Sequence, residues 1–96
     1  MDHAATATRR RRALFRAMHR GTKEMDWFLG KYAEAHLDDM EGKALDLFER
    51  LLLLPDPDLN QWILTPDLIE DAVFIPLIQS VRAFHGLEDE TSGSDA

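Results

Sequence analysis

The chain has 96 residues, of which 45% are apolar and 30% are charged, and its formal net charge at pH 7 is −7. A chain of this length fits one small domain and is too short for two domains or for a catalytic scaffold with a cofactor cleft. It contains no cysteine, which excludes disulfides, thiolate zinc sites and thiol chemistry. Because Leu, Ala, Glu and Arg are frequent, we expect a small helical protein. Its short length favours a binding or helper role.

Charge is distributed unevenly along the chain. Residues 1–20 contain six Arg and one acidic residue, a balance of +5, whereas residues 21–96 contain five basic and seventeen acidic residues, a balance of −12. A basic arm therefore precedes an acidic body. We expect the arm to dock on this body or to be screened by it. Nucleic-acid binding is disfavoured, since the body would repel phosphates and no aromatic residues are interleaved among the arginines.

Both ends of the chain are small, polar or acidic in composition. We predict flexible tails at residues 1–8 and 88–96 around a folded domain at 9–87. No apolar run approaches the roughly 18 to 20 residues that a membrane span needs, because charged residues such as Asp46 and Glu49 interrupt the longest one. Direct insertion into a membrane is therefore not expected.

Two helices are predicted in the first half of the domain. The apolar stripe of Leu14, Phe15 and Met18, to which Ala13 and Ala17 add, indicates the first helix. We expect it to end at Gly21, because glycine often closes a helix in the left-handed conformation. The second helix has the clearest pattern in the chain, and Thr22 is expected to cap it. Its apolar stripe follows the i, i+3, i+4, i+7 rule and consists of Met25, Phe28, Leu29, Tyr32, Ala33 and Leu37.

Three shorter helices are predicted in the second half. The segment "EGKALDLFERLLLL" forms the third, which Pro55 ends. Asp56 is expected to cap the fourth helix, Pro57–Leu64, whose proline suits a first helical position. A short turn near 67–72 then precedes a final helix from about Pro76 to His85. The buried face predicted for the third helix consists of Leu45, Phe48, Leu51 and Leu52.

These elements predict an all-α fold. No stretch alternates apolar and polar residues between hairpin turns, and every strong period is near 3.6 residues. Gly86 follows the last helix and is expected to stop it. Five or so short helices with connections of a few residues describe a compact antiparallel bundle.

The sequence shows no constellation of residues typical of catalysis, metal binding or cofactor binding. Neither G-x-G-x-x-G nor G-x-x-x-x-G-K-[ST] occurs, so we expect no cofactor to be bound stably by this chain. His36 with Asp39 or Met40 lacks the pairing of a metal face, and we expect no metal site. The paired carboxylates lie at predicted helix ends, where capping explains them more simply than acid–base catalysis. We therefore expect a protein that is not an enzyme.

Two clusters remain as candidate binding sites. In "RGTKE", Arg20 and Glu24 place opposite charges on either side of Gly21, at the junction of two helices. One interpretation is a docking surface at which Gly21 lets a partner's backbone approach closely. The other is a helix-ending glycine flanked by an ion pair within the chain. In the second cluster, "LPDPDLNQWIL", a doubly acidic cap with Trp62 in the core is the favoured interpretation.

These segments resemble the succinate dehydrogenase FAD assembly factors, the SdhE-type proteins whose eukaryotic relatives are called succinate dehydrogenase assembly factor 2. The resemblance spans nearly the whole folded region, through "RRRRALFRAMHRGTKEMD", "LGKYAEAHL", "FERLLLLPDPDLNQWIL" and, more weakly, "PLIQSVRAFH". The family's R-G-x-x-E motif and its continuation are met at Arg20, Gly21, Glu24, Met25 and Asp26. Its D-P-D-L-x-x-W motif is met at Asp56, Pro57, Asp58, Leu59 and Trp62. Pro76 departs from the pattern, since relatives often continue a helix there.

The resemblance implies a five-helix domain that binds the flavoprotein subunit of succinate dehydrogenase, and in bacteria also that of fumarate reductase. It implies that the domain promotes covalent attachment of FAD to a histidine of that subunit, so FAD is the partner's cofactor. It carries partner contact onto Arg20, Gly21, Glu24 and Asp26. Further contacts are expected from Trp27, Asp56, Asp58 and Trp62.

The family motif begins near residue 20 with no long presequence ahead of it. We therefore expect a bacterial cytoplasmic protein, or one of the mitochondrial matrix if the source is eukaryotic, and a monomer when free. The alternative of a different class is an antitoxin-like regulatory protein or a nucleic-acid adaptor that uses the run Arg9–Arg12. Steep salt dependence of DNA or RNA binding would favour the adaptor.

Overall fold

A computed structural model describes residues 3–87 of the chain, and in this part five α-helices and three single-turn 3-10 helices occur without any strand. The prediction of an all-α fold is confirmed. The α-helices are α1 (His3–Met18), α2 (Lys23–His36), α3 (Lys43–Leu52), α4 (Asp56–Leu64) and α5 (Ile75–Phe84). The 3-10 helices are Leu37–Asp39, Pro66–Leu68 and Ala72–Phe74. None of the helices in this range is long and apolar enough to cross a membrane.

Both ends of α1 differ from the prediction. The helix begins at His3, so residues 3–8, expected to be a tail, extend it as an alanine-rich turn and a half. It ends at Met18, and Gly21 does not have a positive φ. The expected left-handed stop at Gly21 is therefore wrong. After α1 ends, the backbone N–H of Arg20 is bonded to the Asp26 carboxylate. The tail predicted at 88–96 lies outside the described residues.

The second helix starts and packs as predicted. The hydroxyl oxygen of Thr22 accepts a hydrogen bond from the backbone N–H of Met25 at 3.2 Å, which caps the first turn. All six residues of the predicted apolar stripe are buried. They form the centre of the core together with Ala13 and Ala17 of α1 and the predicted face of α3.

The boundaries of α4 require a correction. Asp56 is the first residue of the helix and Pro55 is its cap residue, which makes no side-chain capping bond. The carboxylate of Asp56 cannot cap α4, because it is bonded to Arg20 and Gly21 of the junction before α2. Trp62 is buried in the core, where its ring lies 5.8 Å from that of Phe74.

The last helix begins at Ile75, with Pro76 at the second position, close to the predicted start. Gly86 stops it with a φ of +79°. The backbone N–H of Gly86 donates to the carbonyl of Ala83 at 3.1 Å, and that of Leu87 donates to Arg82 at 2.7 Å. This pair of bonds is the Schellman motif, which needs a residue tolerant of the left-handed conformation.

Part of the basic arm docks on the acidic body, as predicted. The guanidinium of Arg9 donates to Glu49 at 2.6 and 3.1 Å and to Asp46 at 2.6 Å, and these hydrogen bonds raise the pKa of Arg9. Arg10 donates to the backbone carbonyl of Met40 at 3.0 Å. These contacts fasten α1 to α3 and to the segment before it.

Gly30 sets the distance between α1 and α2. A Cβ atom at this position would lie 3.1 Å from Cγ of Met18, 3.3 Å from its Cα and 3.5 Å from the carbonyl oxygen of Ala17. Contacts this short cannot be relieved by a side-chain movement alone, since one of them is to the Met18 backbone. The glycine therefore allows the end of α1 to lie directly on α2.

We expect Gly30→Val to lower the free energy of unfolding by about 1–3 kcal/mol, because the branched side chain would push the two helices apart. Urea unfolding followed by circular dichroism measures the change. Ala35→Val is the matched control, since Ala35 is exposed on the same helix and the change there costs only helix propensity, about 0.6 kcal/mol. Equal losses in the two variants would contradict the role of Gly30.

Candidate functional site: the Arg-Gly corner

The junction of α1 and α2, residues 20–24, is here called the Arg-Gly corner, and the side chain of Arg20 points into the protein. Its Nε donates to Oδ1 of Asp56 at 2.7 Å, its Nη1 to the carbonyl oxygen of Leu52 at 2.6 Å and its Nη2 to that of Leu54 at 2.6 Å. The side chain is only 9% exposed. Arg20 thus caps the C-terminal end of α3, where a positive charge is favoured by the helix dipole.

Asp56 joins the two motifs that the sequence singled out. Its Oδ1 pairs with the Arg20 side chain, and its Oδ2 accepts a hydrogen bond from the backbone N–H of Gly21 at 2.7 Å. The ion pair is mostly shielded from water, since the Asp56 side chain is 18% exposed. The sequence suggested an ion pair between Arg20 and Glu24 within "RGTKE". This prediction is wrong, because Arg20 pairs with Asp56.

The close approach expected at Gly21 is made by the chain itself. A Cβ atom on Gly21 would lie 2.9 Å from Oδ2 of Asp56, which is shorter than real Cβ contacts. Any side chain at this position would have to displace the carboxylate from the Gly21 backbone N–H. A side chain at Gly21 would therefore disturb the Asp56 carboxylate inside the corner, whether or not a partner is bound.

The other residues of the corner have different surroundings. Asp26 is half-buried and its carboxylate accepts a hydrogen bond from the Arg20 backbone N–H, so it fixes the path of the chain into α2. Glu24 is exposed, and its carboxylate makes no hydrogen bond or ion pair with any residue of 3–87. Of the residues named by the R-G-x-x-E motif, Glu24 is the one whose charge is offered to solvent.

Two grooves meet at the corner, one on each side of Asp56. The first runs along α2 and α4, and its lining includes Thr22, Glu24, Pro57, Asn60 and Leu64. The second lies between α1 and the end of α3, and its lining includes Phe15, Arg16, His19 and Leu53. The corner therefore separates an acidic-edged groove from one with apolar and basic walls.

The remaining candidate residues are not gathered in one place. Asp58 is exposed in the first turn of α4. Trp27 is 51% exposed and packs on His85 with ring centroids 4.3 Å apart, beside a separate groove on α1 and α2. Trp62 faces the core, as the interpretation favoured from the sequence predicted, and its ring is not available to a partner.

Sequence reasoning missed the exposed residues Phe15 and Leu53. Phe15 was predicted to belong to the buried stripe of α1, but it is 62% exposed, because Ala13 and Ala17 supply the buried side of the helix. Leu53 is 74% exposed although it stands in a run of four leucines. The end of α3 before Pro55 was the available signal that the last leucines of this run are not on the buried face of the helix.

Within residues 3–87, no group of three or more His, Asp or Glu side chains could hold a metal ion.

The fold and the corner define a small all-α protein in which a shielded Arg–Asp pair joins the ends of its helices. A family model described as the flavinator of succinate dehydrogenase matches residues 11–85, and the chain belongs to this family. The resemblance inferred from its two motifs is confirmed.

Curated relatives carry names that agree with the family. The FAD assembly factor SdhE of Acetobacter pasteurianus is 47% identical over 57 residues, which cover 59% of this chain and 52% of that protein. The mitochondrial succinate dehydrogenase assembly factor 2 of Yarrowia lipolytica is 37% identical over 65 residues, which cover 68% of this chain and 45% of that protein. The chain spans about half the length of these curated relatives. No solved structure matches it significantly.

We expect Asp56→Ala to lower the free energy of unfolding by about 2–3 kcal/mol, because it leaves the shielded guanidinium of Arg20 without its counter-ion and the Gly21 N–H without its acceptor. Urea unfolding measures the loss. The matched control is Asp58→Ala, which removes an exposed carboxylate two residues further along α4 and should cost less than about 1 kcal/mol. A loss as large for Asp58→Ala would mean that Asp56 acts only as a first-turn acid.

Proposed function

We propose that this protein is an assembly factor that binds the flavoprotein subunit of succinate dehydrogenase and promotes covalent attachment of FAD to it. The observation that carries the proposal is the match of the flavinator family model to residues 11–85. The relatives named FAD assembly factor and succinate dehydrogenase assembly factor support it. Fumarate reductase is proposed as a further client in bacteria.

The proposed mechanism is conformational. The bond forms between a histidine nitrogen of the flavoprotein and the flavin methyl carbon, while an N–H and a C–H bond are lost and the flavin ring takes up the electron pair and two protons. All the reacting groups therefore belong to the partner and its FAD. The small protein binds the arrangement of the flavoprotein in which these two atoms lie close together, and so raises their effective concentration. This role requires an accurate docking surface and no catalytic group or cofactor from the assembly factor.

In this proposal the residues of the Arg-Gly corner divide into two roles. Arg20, Gly21 and Asp56 shape the corner, since their polar groups are engaged with one another. Glu24 contacts the flavoprotein, because its carboxylate is exposed and has no partner within residues 3–87. The exposed Trp27 and Asp58 extend the proposed contact surface along α2 and α4, whereas Trp62 supports it from the core.

The free protein is proposed to be a monomer in the bacterial cytoplasm, or in the mitochondrial matrix if the source is eukaryotic. The nucleic-acid adaptor is not favoured as a second function. Arg9 and Arg10, half of the basic run, are bonded to Glu49, Asp46 and the Met40 carbonyl of the same chain. Neither the family description nor the names of the relatives refer to nucleic acid.

The test is co-expression with the flavoprotein subunit, read as in-gel fluorescence of covalently bound flavin. We expect Gly21→Arg to abolish the gain in covalent flavin, because its side chain would displace Asp56 and add charge at the contact. Glu24→Ala should reduce the gain less severely, because it removes one exposed partner. Glu70→Ala, at an exposed acid beyond α4, is the matched control and should behave as wild type.

Two outcomes would contradict the proposal. One is an equal yield of covalent flavin with and without this protein. The other is full activity of Glu24→Ala together with Gly21→Arg, when circular dichroism shows both to be folded. Glu24→Ala keeps the test valid if Gly21→Arg does not fold, since the exposed Glu24 side chain makes no hydrogen bond or ion pair within residues 3–87.

A further inference from the structure

Arg20 of the Arg-Gly corner holds Leu53 on the surface of the protein. Nη1 and Nη2 of Arg20 donate hydrogen bonds to the carbonyl oxygens of Leu52 and Leu54, the residues immediately before and after Leu53. The backbone N–H of Leu53 also donates to the carbonyl of Arg50 at 3.1 Å. With the backbone fixed on both sides, the Leu53 side chain points to solvent and is 74% exposed.

Phe15 forms the opposite wall of the same groove. Its ring is 62% exposed and stacks on His19 with centroids 4.0 Å apart and an interplanar angle of 22°. Nδ1 of His19 lies 2.8 Å from the carbonyl oxygen of Phe15, which fixes the imidazole in this position. The groove between Phe15 and Leu53, here called the Phe15–Leu53 groove, is therefore bounded by two apolar side chains with defined orientations.

The rim of the groove is basic. Arg16 lines it, and Arg12 lies one helical turn earlier on the same exposed face of α1. Neither residue has an ion pair or a side-chain hydrogen bond within residues 3–87, whereas Arg9 and Arg10 are engaged with the acidic body. Two positive charges are thus left beside an apolar groove in a chain whose net charge is −7.

We propose that the Phe15–Leu53 groove is a second docking surface for the flavoprotein subunit, and that it takes an apolar side chain flanked by carboxylates. This inference rests on the proposed function and adds a site to it. Gly21 and Asp56 line the groove, so it is continuous with the Arg-Gly corner. A ligand that covers the corner from this side meets apolar walls first and positive charge at the rim, which complements an acidic surface with an apolar centre.

The charge pattern also disfavours a second copy of this chain as the occupant. Symmetric pairing of two grooves would place the Arg12 and Arg16 rims of both copies against each other, and like charges facing across an interface are repulsive. A few residues near the centre of an interface, where water is excluded, supply most of its affinity, whereas rim charges mainly affect the association rate and its salt dependence.

The test measures binding of the purified full chain to the purified flavoprotein subunit by isothermal titration calorimetry. We expect Leu53→Ser to raise the Kd at least about tenfold. Arg16→Gln should raise it about fivefold at low salt and less at high salt, because the lost contact is electrostatic. Leu68→Ser and Lys43→Gln are the matched controls, since both residues are exposed and neither lines the groove, and both variants should bind as wild type.

Unchanged binding by Leu53→Ser and Arg16→Gln, together with weaker binding by Glu24→Ala, would overturn the proposal for the Phe15–Leu53 groove alone. The proposed function would then remain intact. Failure of the wild-type chain to bind the flavoprotein would overturn both. Sedimentation equilibrium supplies a further check. Self-association of the wild type that Leu53→Ser abolishes would assign the groove to a second copy and would also overturn the proposal.

Discussion

One carboxylate, that of Asp56, accepts hydrogen bonds from the side chain of Arg20 and from the backbone of Gly21, residues more than thirty positions earlier in the chain. The pair is shielded from water, so each charge depends on the other, because a shielded charge without its partner is costly. The cost of desolvation is offset by hydrogen bonds from all three guanidinium nitrogens, with the Leu52 and Leu54 carbonyls as the other acceptors. Three helix ends therefore meet at a single fixed point: the end of α1, the end of α3 and the start of α4.

This contact determines what the corner can present to a partner. Because the polar groups of Arg20 are used inside the protein, the exposed residues beside the pair include Glu24 on one side, and Leu53 and Phe15 on the other. A motif that looks like a binding signature in the sequence thus has a structural half and a proposed contact half. We expect variants of the structural half to change the shape of the whole surface, whereas variants of exposed residues should change only one proposed contact each.

Much of the fold could be predicted from local patterns. The stripe of α2 and its Thr22 cap are confirmed, as is the end of α5 at Gly86, because helix periodicity and capping depend on neighbours three or four residues away. The errors lie where a distant residue competes for the same group. Asp56 was predicted to cap α4 and Gly21 to close α1, but each is instead bonded to the other, a contact that no local rule can anticipate.

The candidate site likewise combines features that follow from local sequence with features that depend on tertiary contacts. The sequence by itself determined the all-helical class, the apolar faces of α2 and α3 and, through two motifs at a matching separation, the family. Only the tertiary structure decided that those two motifs form one unit and that Leu53 and Phe15 are exposed. The physical reason is range: helix propensity and amphipathicity act within a few turns, whereas the Arg20–Asp56 pair forms only after α1, α3 and α4 have packed.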